Sequence, residues 1–271
     1  MAYVDIQFAG RYFKLDAVDG TDQIVRDIVS GAYEAPLPML MMATIVRTEG
    51  IFIDVGANTG LYSVMAAVIS QGRKVIAFEP LPSVISALRR NIEINALESV
   101  IEVKEIALSS RLGMATLHIP DPGHGLLETS ASLEAEFKTH DACSGAKSIE
   151  VKVSTLDSLE IHDPIAVIKV DIEGHEYAFL DGAKNTITRE RPIVFIEVLR
   201  TPQLSRLGSI AQEMGYINFR LRPDLAIHDG GEIYFDPQAW NHALVPIERL
   251  RKFEEICSSC GVAMLRRFTL T

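Results

Sequence analysis

Ile51-Phe-Ile-Asp54-Val-Gly56-Ala-Asn58-Thr-Gly60 decides how this chain is read. Its first half, Ile51 to Val55, is a β-branched and aromatic run of the kind that forms a strand buried on both faces. Its second half is a glycine-rich turn. Beyond the turn, Leu61, Val64, Met65 and Val68 recur at the spacing of one helix face. Glycines in a strand-to-helix turn let a ligand approach the backbone, which a bulky side chain would prevent. Asn58 stands where many nucleotide-binding loops carry a middle glycine, and Asn is one of the few residues that tolerate positive φ.

The same rhythm repeats further along. Lys74 to Phe78 reads as a second strand, with Ile85, Leu88 and Ile92 as the buried face of the helix after it. Val100 to Lys104 reads as a third strand, and Val167 to Val170 and Ile193 to Ile196 as two more, with a helix over Tyr177 to Thr188 between them. Repeated βα units predict an α/β fold, a mostly parallel sheet with helices on both faces. The stretch from Ala107 to Pro164 breaks the pattern. Ala115 to Ile119 and Ser148 to Val153 read as extra strands flanking an inserted loop, 119–147, rich in Gly, Pro and Ser. Loops of that length are commonly lids or binding loops, and this one is expected to choose the substrate. After Val198 come a helix over Leu204 to Met214, strand-like runs at Tyr216 to Leu221 and Glu232 to Phe235, and a closing helix near Ile247 to Cys257. The expected division is an N-terminal helical or extended segment packing on the core (1–50), a cofactor-binding domain (51–236) and a C-terminal helical extension (237–271).

Composition narrows the class. The 271 residues are 48% hydrophobic and 23% charged, enough for a sizeable core and against general disorder. Lys plus Arg is 26 against 36 Asp plus Glu, for a formal charge of -10 and no basic tract. Nucleic acid is therefore not an expected partner. The greasiest run, Ala35 to Val46, contains Pro36 and Pro38 and falls short of the roughly 20 residues a bilayer core needs, so a buried helix is expected rather than a membrane contact. Cys143, Cys257 and Cys260 cannot build a disulfide framework, and no secretory leader is evident at the N-terminus, which points to the cytoplasm. Cys257-Ser-Ser-Cys260 has no second C-x-x-C and is read as reduced thiols. Oligomeric state is open, a homodimer included.

The cofactor follows from the loop. Glu79 ends the second strand, where a carboxylate can accept both ribose hydroxyls of a nucleoside. A dinucleotide fingerprint requires a last glycine where Leu61 stands, which disfavours a nicotinamide-dependent oxidoreductase. Asp54 ahead of the turn suits a cofactor with a cationic amino acid end, and S-adenosylmethionine is the expected ligand.

The chemistry should lie at Asp171-Ile-Glu173-Gly-His175-Glu176, at the carboxyl end of the fourth strand, the edge where ligands sit in an open parallel sheet. Methyl transfer requires an aligned acceptor and a group that takes its proton. His175 is the candidate base, because an imidazole ordinarily titrates near neutrality. Asp171 or Glu173 orients the acceptor or takes the proton instead, and Glu176 supplies helix N-terminal charge. Glu197, ending the fifth strand, points toward the same edge. No obligatory metal is expected. Trp240, Asn241 and His242 are read as a packed anchor for the tail.

FIDVGANTG, AFEPLPSVISALRRNIEIN, EIALSS, VSTLDSL, IKVDIEGHEYAFLDGA and RPIVFIEV, in that order over roughly Ala32 to Leu199, resemble the FkbM family of S-adenosylmethionine-dependent methyltransferases. Gly31-Ala-Tyr33-Glu34 is similar to a segment before the first strand in many members. The resemblance implies a class I methyltransferase fold, Rossmann-like, with a seven-stranded sheet whose last strand is antiparallel. It implies methyl transfer to a hydroxyl of a sugar, glycan or natural product. It matches Asp54, Gly56, Asn58 and Gly60 to the cofactor loop and Glu79 to the ribose carboxylate. Ile106 and Ala107 fall where the chain passes the adenine, and Asp171 borders the cofactor as well as the acceptor. Rival readings are an N-methyltransferase on the same fold and a non-catalytic cofactor-binding module.

Overall fold

Residues 3–16, 33–120, 130–134, 147–228 and 232–266 are described by a computed structural model. The chain opens with an antiparallel hairpin, β1 (Tyr3–Phe8) and β2 (Arg11–Asp16). Helix α1 (Leu37–Arg47) follows and buries Leu37, Leu40, Met41, Met42 and Ile45, side chains that each contribute about 1.5–3 kcal/mol on burial. Its apolar run is thus spent on the core. No helix among the described residues is long and apolar enough to cross a membrane.

Two βα steps and a third strand come next: β3 (Ile51–Val55), α2 (Leu61–Ile69), β4 (Val75–Phe78), α3 (Pro82–Glu93) and β5 (Ile101–Lys104). A side sheet is made by β6 (Ala107–Leu108), β7 (Gly113–Ile119) and β8 (Lys147–Ser154), with β8 in the middle. Because Ile119 pairs with Lys147, both ends of the inserted loop leave the sheet side by side. Then follow β9 (Ile165–Val170), α4 (Glu176–Gly182), α5 (Lys184–Glu190), β10 (Ile193–Glu197) and α6 (Leu204–Glu213). The single helix expected over Tyr177 to Thr188 is two short ones. They meet at Ala183, next to Gly182, where a β-carbon would overlap the Ser109 carbonyl. The chain closes with β11 (Tyr216–Arg222), β12 (Leu225–His228), β13 (Asn241–Pro246), α7 (Leu250–Ser259) and β14 (Ala263–Arg266).

The main sheet runs β14-β12-β11-β13-β10-β9-β3-β4-β5. This corrects two expectations. The described sheet has nine strands rather than seven, because β12 hairpins back from β11 and β14 then pairs parallel to β12. The segment 237–271 is no helical extension. Its β13 is inserted antiparallel between β10 and β11 and is nearly all buried, so it is an interior strand. The run Glu232 to Phe235 is not a strand: Ile233 is buried beside exposed Tyr234, but the alternation ends there.

Strand side chains alternate between two cores, as a period of two requires. Phe52, Ala77 and Phe195 face the side covered by α1, α2 and α7, while Ile53, Phe78 and Ile196 face α4, α5 and α6. With β10, β9, β3, β4 and β5 all parallel, their carboxyl ends share one edge.

Candidate active site

Gly56, Asn58, Glu79, Ile106, Ala107, Asp171, Glu173 and His175 all line one cleft at that edge, with Glu197, Tyr33 and Glu34 beside them. The turn after β3 crosses directly over the end of β9. Gly56 has φ +77, and a β-carbon there would fall 1.8 Å from the Asp171 carbonyl oxygen. The Gly56 and Ala57 amides both donate to the Phe78 carbonyl, which ties the turn to β4. Asn58 adopts φ +53, the left-handed conformation its side chain tolerates, and its Oδ1 accepts from the Thr59 amide at 2.7 Å.

Glu79 is 7% exposed. Its Oε2 accepts from the Asn58 amide and its Oε1 from the Leu81 amide, each at 2.9 Å. Burial pushes its carboxyl up to about 7, against the pull of those two amides. The glutamate therefore fastens the glycine turn to the end of β4 while still lining the cleft.

Two cofactor-loop residues sit behind the cleft wall instead of on it. Gly60, with φ +88, admits α3, because a β-carbon there would overlap the Leu88 side chain. Asp54 is 1% exposed and turned toward the α1–α2 core. Its Oδ2 accepts from the Ser63 hydroxyl at 2.7 Å, while its buried Oδ1 has no hydrogen-bond partner among the described residues.

Sequence reasoning missed the centre of the charge network. Lys169, 4% exposed, places Nζ 2.8 Å from Asp171 Oδ2 and 4.8 Å from the centre of the Tyr62 ring. Tyr62 donates to Glu34 Oε2 at 2.6 Å, and Tyr33 also bonds to Glu34. Burial would raise the Asp171 carboxyl, but the adjacent ammonium outweighs it and holds Asp171 below the usual range. Glu197 shares a hydrogen bond with Asp171 and is driven well up by burial and by that neighbouring charge, so it keeps its proton. Burial also raises Glu34 and Asp54, against the pull of Lys169. A lysine inside the otherwise apolar run Ile165–Val170 was the available signal, since a buried lysine is almost always paired.

His175 precedes α4 and is held at both ring nitrogens. Nδ1 lies 2.6 Å from Glu134 Oε1, and Nε2 lies 2.9 Å from Ser109 Oγ. Neither partner was legible in the sequence. Glu173 has φ +54, a strained conformation for a glutamate, and its carbonyl accepts from Ser132 Oγ at 2.6 Å. Glu176 is 3% exposed and its Oε1 accepts from the Gly174 amide at 3.0 Å, so it closes the turn before α4 and does not face the cleft.

The remaining candidates take structural places. His242 is fully buried and bonds to Asn218 Oδ1, but Trp240 is 52% exposed and not the packed anchor expected. Burial pushes Cys257 up to about 12, which leaves it an inert thiol, and Cys260 is half-buried. His118 pairs with Ser132 through the backbone. Gly31, Ala32, His124, His140, Cys143 and most of the inserted loop lie outside the described residues.

A glycine turn after the first parallel strand, a carboxylate after the second and an acidic cleft at the strand ends define an α/β, Rossmann-like fold of the nucleoside-cofactor type. Residues 54–221 match the methyltransferase FkbM domain, more than half of the chain, and the protein belongs to that family. Over 152 residues it is 28% identical to methyltransferase sdnD of Sordaria araneosa, a match spanning 48% of this chain and 59% of that protein. Over 139 residues it is 30% identical to hexuronic acid methyltransferase AglP of Haloferax volcanii, spanning 51% of this chain and 52% of that protein. The chain thus covers little more than half the length of these curated relatives. The crystal structure of methyltransferase FkbM from Methylobacillus flagellatus KT superposes with a TM-score of 0.47 at 18% identity, covering 72% of this chain and 43% of that one.

The cofactor of this family is S-adenosylmethionine. The residues present fit it. The Gly56 turn brings bare backbone to the cleft wall, and Glu79 offers acceptor lone pairs beside it. The carboxylates around Lys169 outnumber it, and Asp171 and Glu34 among them line the cleft, so the site suits a ligand with a positive end.

Proposed function

We propose that this protein is an S-adenosylmethionine-dependent O-methyltransferase whose acceptor is a hydroxyl on a sugar, glycan or natural product. The observation that carries the reading is that Glu79 and His175 line the same cleft, a carboxylate of the kind that accepts ribose hydroxyls and an imidazole of the kind that accepts a proton. The printed name of the relative AglP, a hexuronic acid methyltransferase, supports a sugar-like acceptor. The described cysteines are free thiols, consistent with work in the cytoplasm.

S-adenosylmethionine supplies an electrophilic methyl group on a sulfonium. The chain's own residues do the rest. Glu79 accepts the ribose hydroxyls, and Ile106 and Ala107 give an apolar wall for the base. The excess of carboxylates over Lys169 attracts the cationic end. Asp171 and Glu173 border the place where the acceptor must lie, and His175 takes its proton as the new carbon–oxygen bond forms. Alignment of the reacting groups in one cleft supplies the remaining rate.

The test is transfer of labelled methyl from S-adenosylmethionine to a panel of sugars, glycans and polyhydroxylated natural products, with the methylated atom located by NMR. A methyl ether product is expected. A product methylated on nitrogen, or tighter binding of NADH than of S-adenosylhomocysteine, would overturn the reading.

A further inference from the structure

Residues 130–134 run beside the cleft. The stretch is fixed by a two-way backbone pairing of Ser132 with His118 and by the Ser132 hydroxyl donating to the Glu173 carbonyl at 2.6 Å. Ala131 and Leu133 line the cleft and pack on the apolar cluster of Leu81, Val84, Leu117 and Val151. So anchored, the stretch delivers Glu134 Oε1 to within 2.6 Å of His175 Nδ1. On the far side of the ring, Ser109, 6% exposed, places Oγ 2.9 Å from Nε2.

We propose that Glu134 is a positioning residue that keeps the proton of neutral His175 on Nδ1, so that Nε2 is the nitrogen that accepts the proton of the acceptor hydroxyl. The proposal rests on His175 being the base. A carboxylate is an acceptor only, so the nitrogen facing it must carry hydrogen. A serine hydroxyl is both donor and acceptor. It donates to Nε2 while that nitrogen is bare and turns to accept from it once it is protonated, so both states of the ring stay hydrogen-bonded. The proton count closes: the acceptor loses its proton to Nε2, the imidazolium formed is balanced by the Glu134 carboxylate, and the proton returns to water after release of product. His175 lines the cleft and Ser109 does not, and an acceptor hydroxyl that reaches Nε2 takes the place of the Ser109 hydroxyl at that nitrogen's single lone pair.

The charged groups around the ring fit this assignment. Glu134 contributes from the 130–134 stretch, and Glu173 and Glu176 flank it on its own segment. Asp171, engaged by Lys169, and Glu197, which holds its own proton, line the same cleft. The nearest of these carboxylates, Glu134, is drawn below its usual range by the hydrogen bond to His175.

The test labels histidine with nitrogen-15 and reads the tautomer of His175 in the free protein by NMR, assigned by its loss in His175→Ala. Wild type should show the Nδ1–H form alone. Glu134→Gln, nearly isosteric, should redistribute the proton between the two nitrogens and lower kcat about tenfold or more, with KM for the cofactor unchanged. Ser132→Ala, which loosens the anchor and keeps Glu134, should move the signal the same way by less. An Nδ1–H signal unchanged in both variants would overturn the proposal. Failure of the base assignment itself looks different: His175→Ala would retain kcat whatever the tautomer measurement shows.

Discussion

Asp54 and Lys169 are register partners on adjacent parallel strands, both almost fully buried and turned to the same face of the sheet. Lys169 also faces Asp171 and Glu34, so one ammonium compensates several interior carboxylates. Removing it leaves them uncompensated, the situation that costs about 3–5 kcal/mol when one partner of a buried pair is lost. Lys169→Met should lower the unfolding free energy by that order in urea titration, and Asp54→Asn added to it should restore part. A loss below about 1 kcal/mol would show that the network is well solvated.

Gly56→Ala puts a β-carbon into the Asp171 carbonyl at a left-handed backbone position. Left-handed strain of about 1–2 kcal/mol and overpacking of about 1–3 kcal/mol both apply. Thermal unfolding should shift down by several degrees, and calorimetry should show affinity for S-adenosylhomocysteine reduced at least tenfold. Wild-type affinity in the variant would remove the turn from the cofactor site.

Glu79→Ala should weaken binding of the cofactor by about 1.5–3 kcal/mol, the range for hydrogen bonds to a charged group. It also frees the Asn58 and Leu81 amides, so Glu79→Gln, which keeps one acceptor oxygen, should lose less. Equal, wild-type affinity in both variants would place the ribose elsewhere.

Glu176 and Glu79 should give the free protein a downward slope of stability with pH. Burial raises each from 4.5 to about 7. The folded state therefore keeps protons that the unfolded chain releases between about pH 4.5 and 7. The contribution is complete below that window and lost as pH rises through it. Asp171 is held low and titrates below the window, so it does not offset the slope. The unfolding free energy from urea titration should fall from about pH 5 to about pH 7.5 by on the order of 1–3 kcal/mol per group, and Glu176→Gln should flatten the curve. A flat wild-type curve would mean that both carboxylates are ionised and hydrated.

His175→Ala should reduce kcat by about 10²–10⁴-fold and leave calorimetric cofactor affinity nearly intact. Full kcat on a verified acceptor would pass the role to Asp171 or Glu173.

The parallel half of the fold was readable because strands buried on both faces leave apolar runs, as in Ile51–Ile53 and Ile193–Ile196, followed by helix-spaced residues. Of the strands beyond β10, only Tyr216–Arg222 was readable. Ala263–Arg266 is a short strand with alternately exposed residues, and Asn241–Pro246 begins with Asn and His and ends in Pro, so neither carries a period long enough to read. The cleft was legible where its residues follow strand ends, at Gly56, Glu79 and Asp171. It was illegible where partners come from afar, since Ser109 and Glu134 meet His175 only through tertiary packing and leave no spacing rule in the chain.

The insertion of β13 between β10 and β11 bears on how the molecule is made. The sheet cannot close between β10 and β11 until Asn241–Pro246 has been synthesised, because that later segment fills the place between them. Glu197, whose register partner is Asn241, ends an unpaired edge for all that time. Unpaired strand edges of this kind are open to edge-to-edge association. A stop codon ahead of Asn241 would therefore remove a slat from the middle of the sheet, with consequences for the cleft as severe as losing a strand beside the glycine turn.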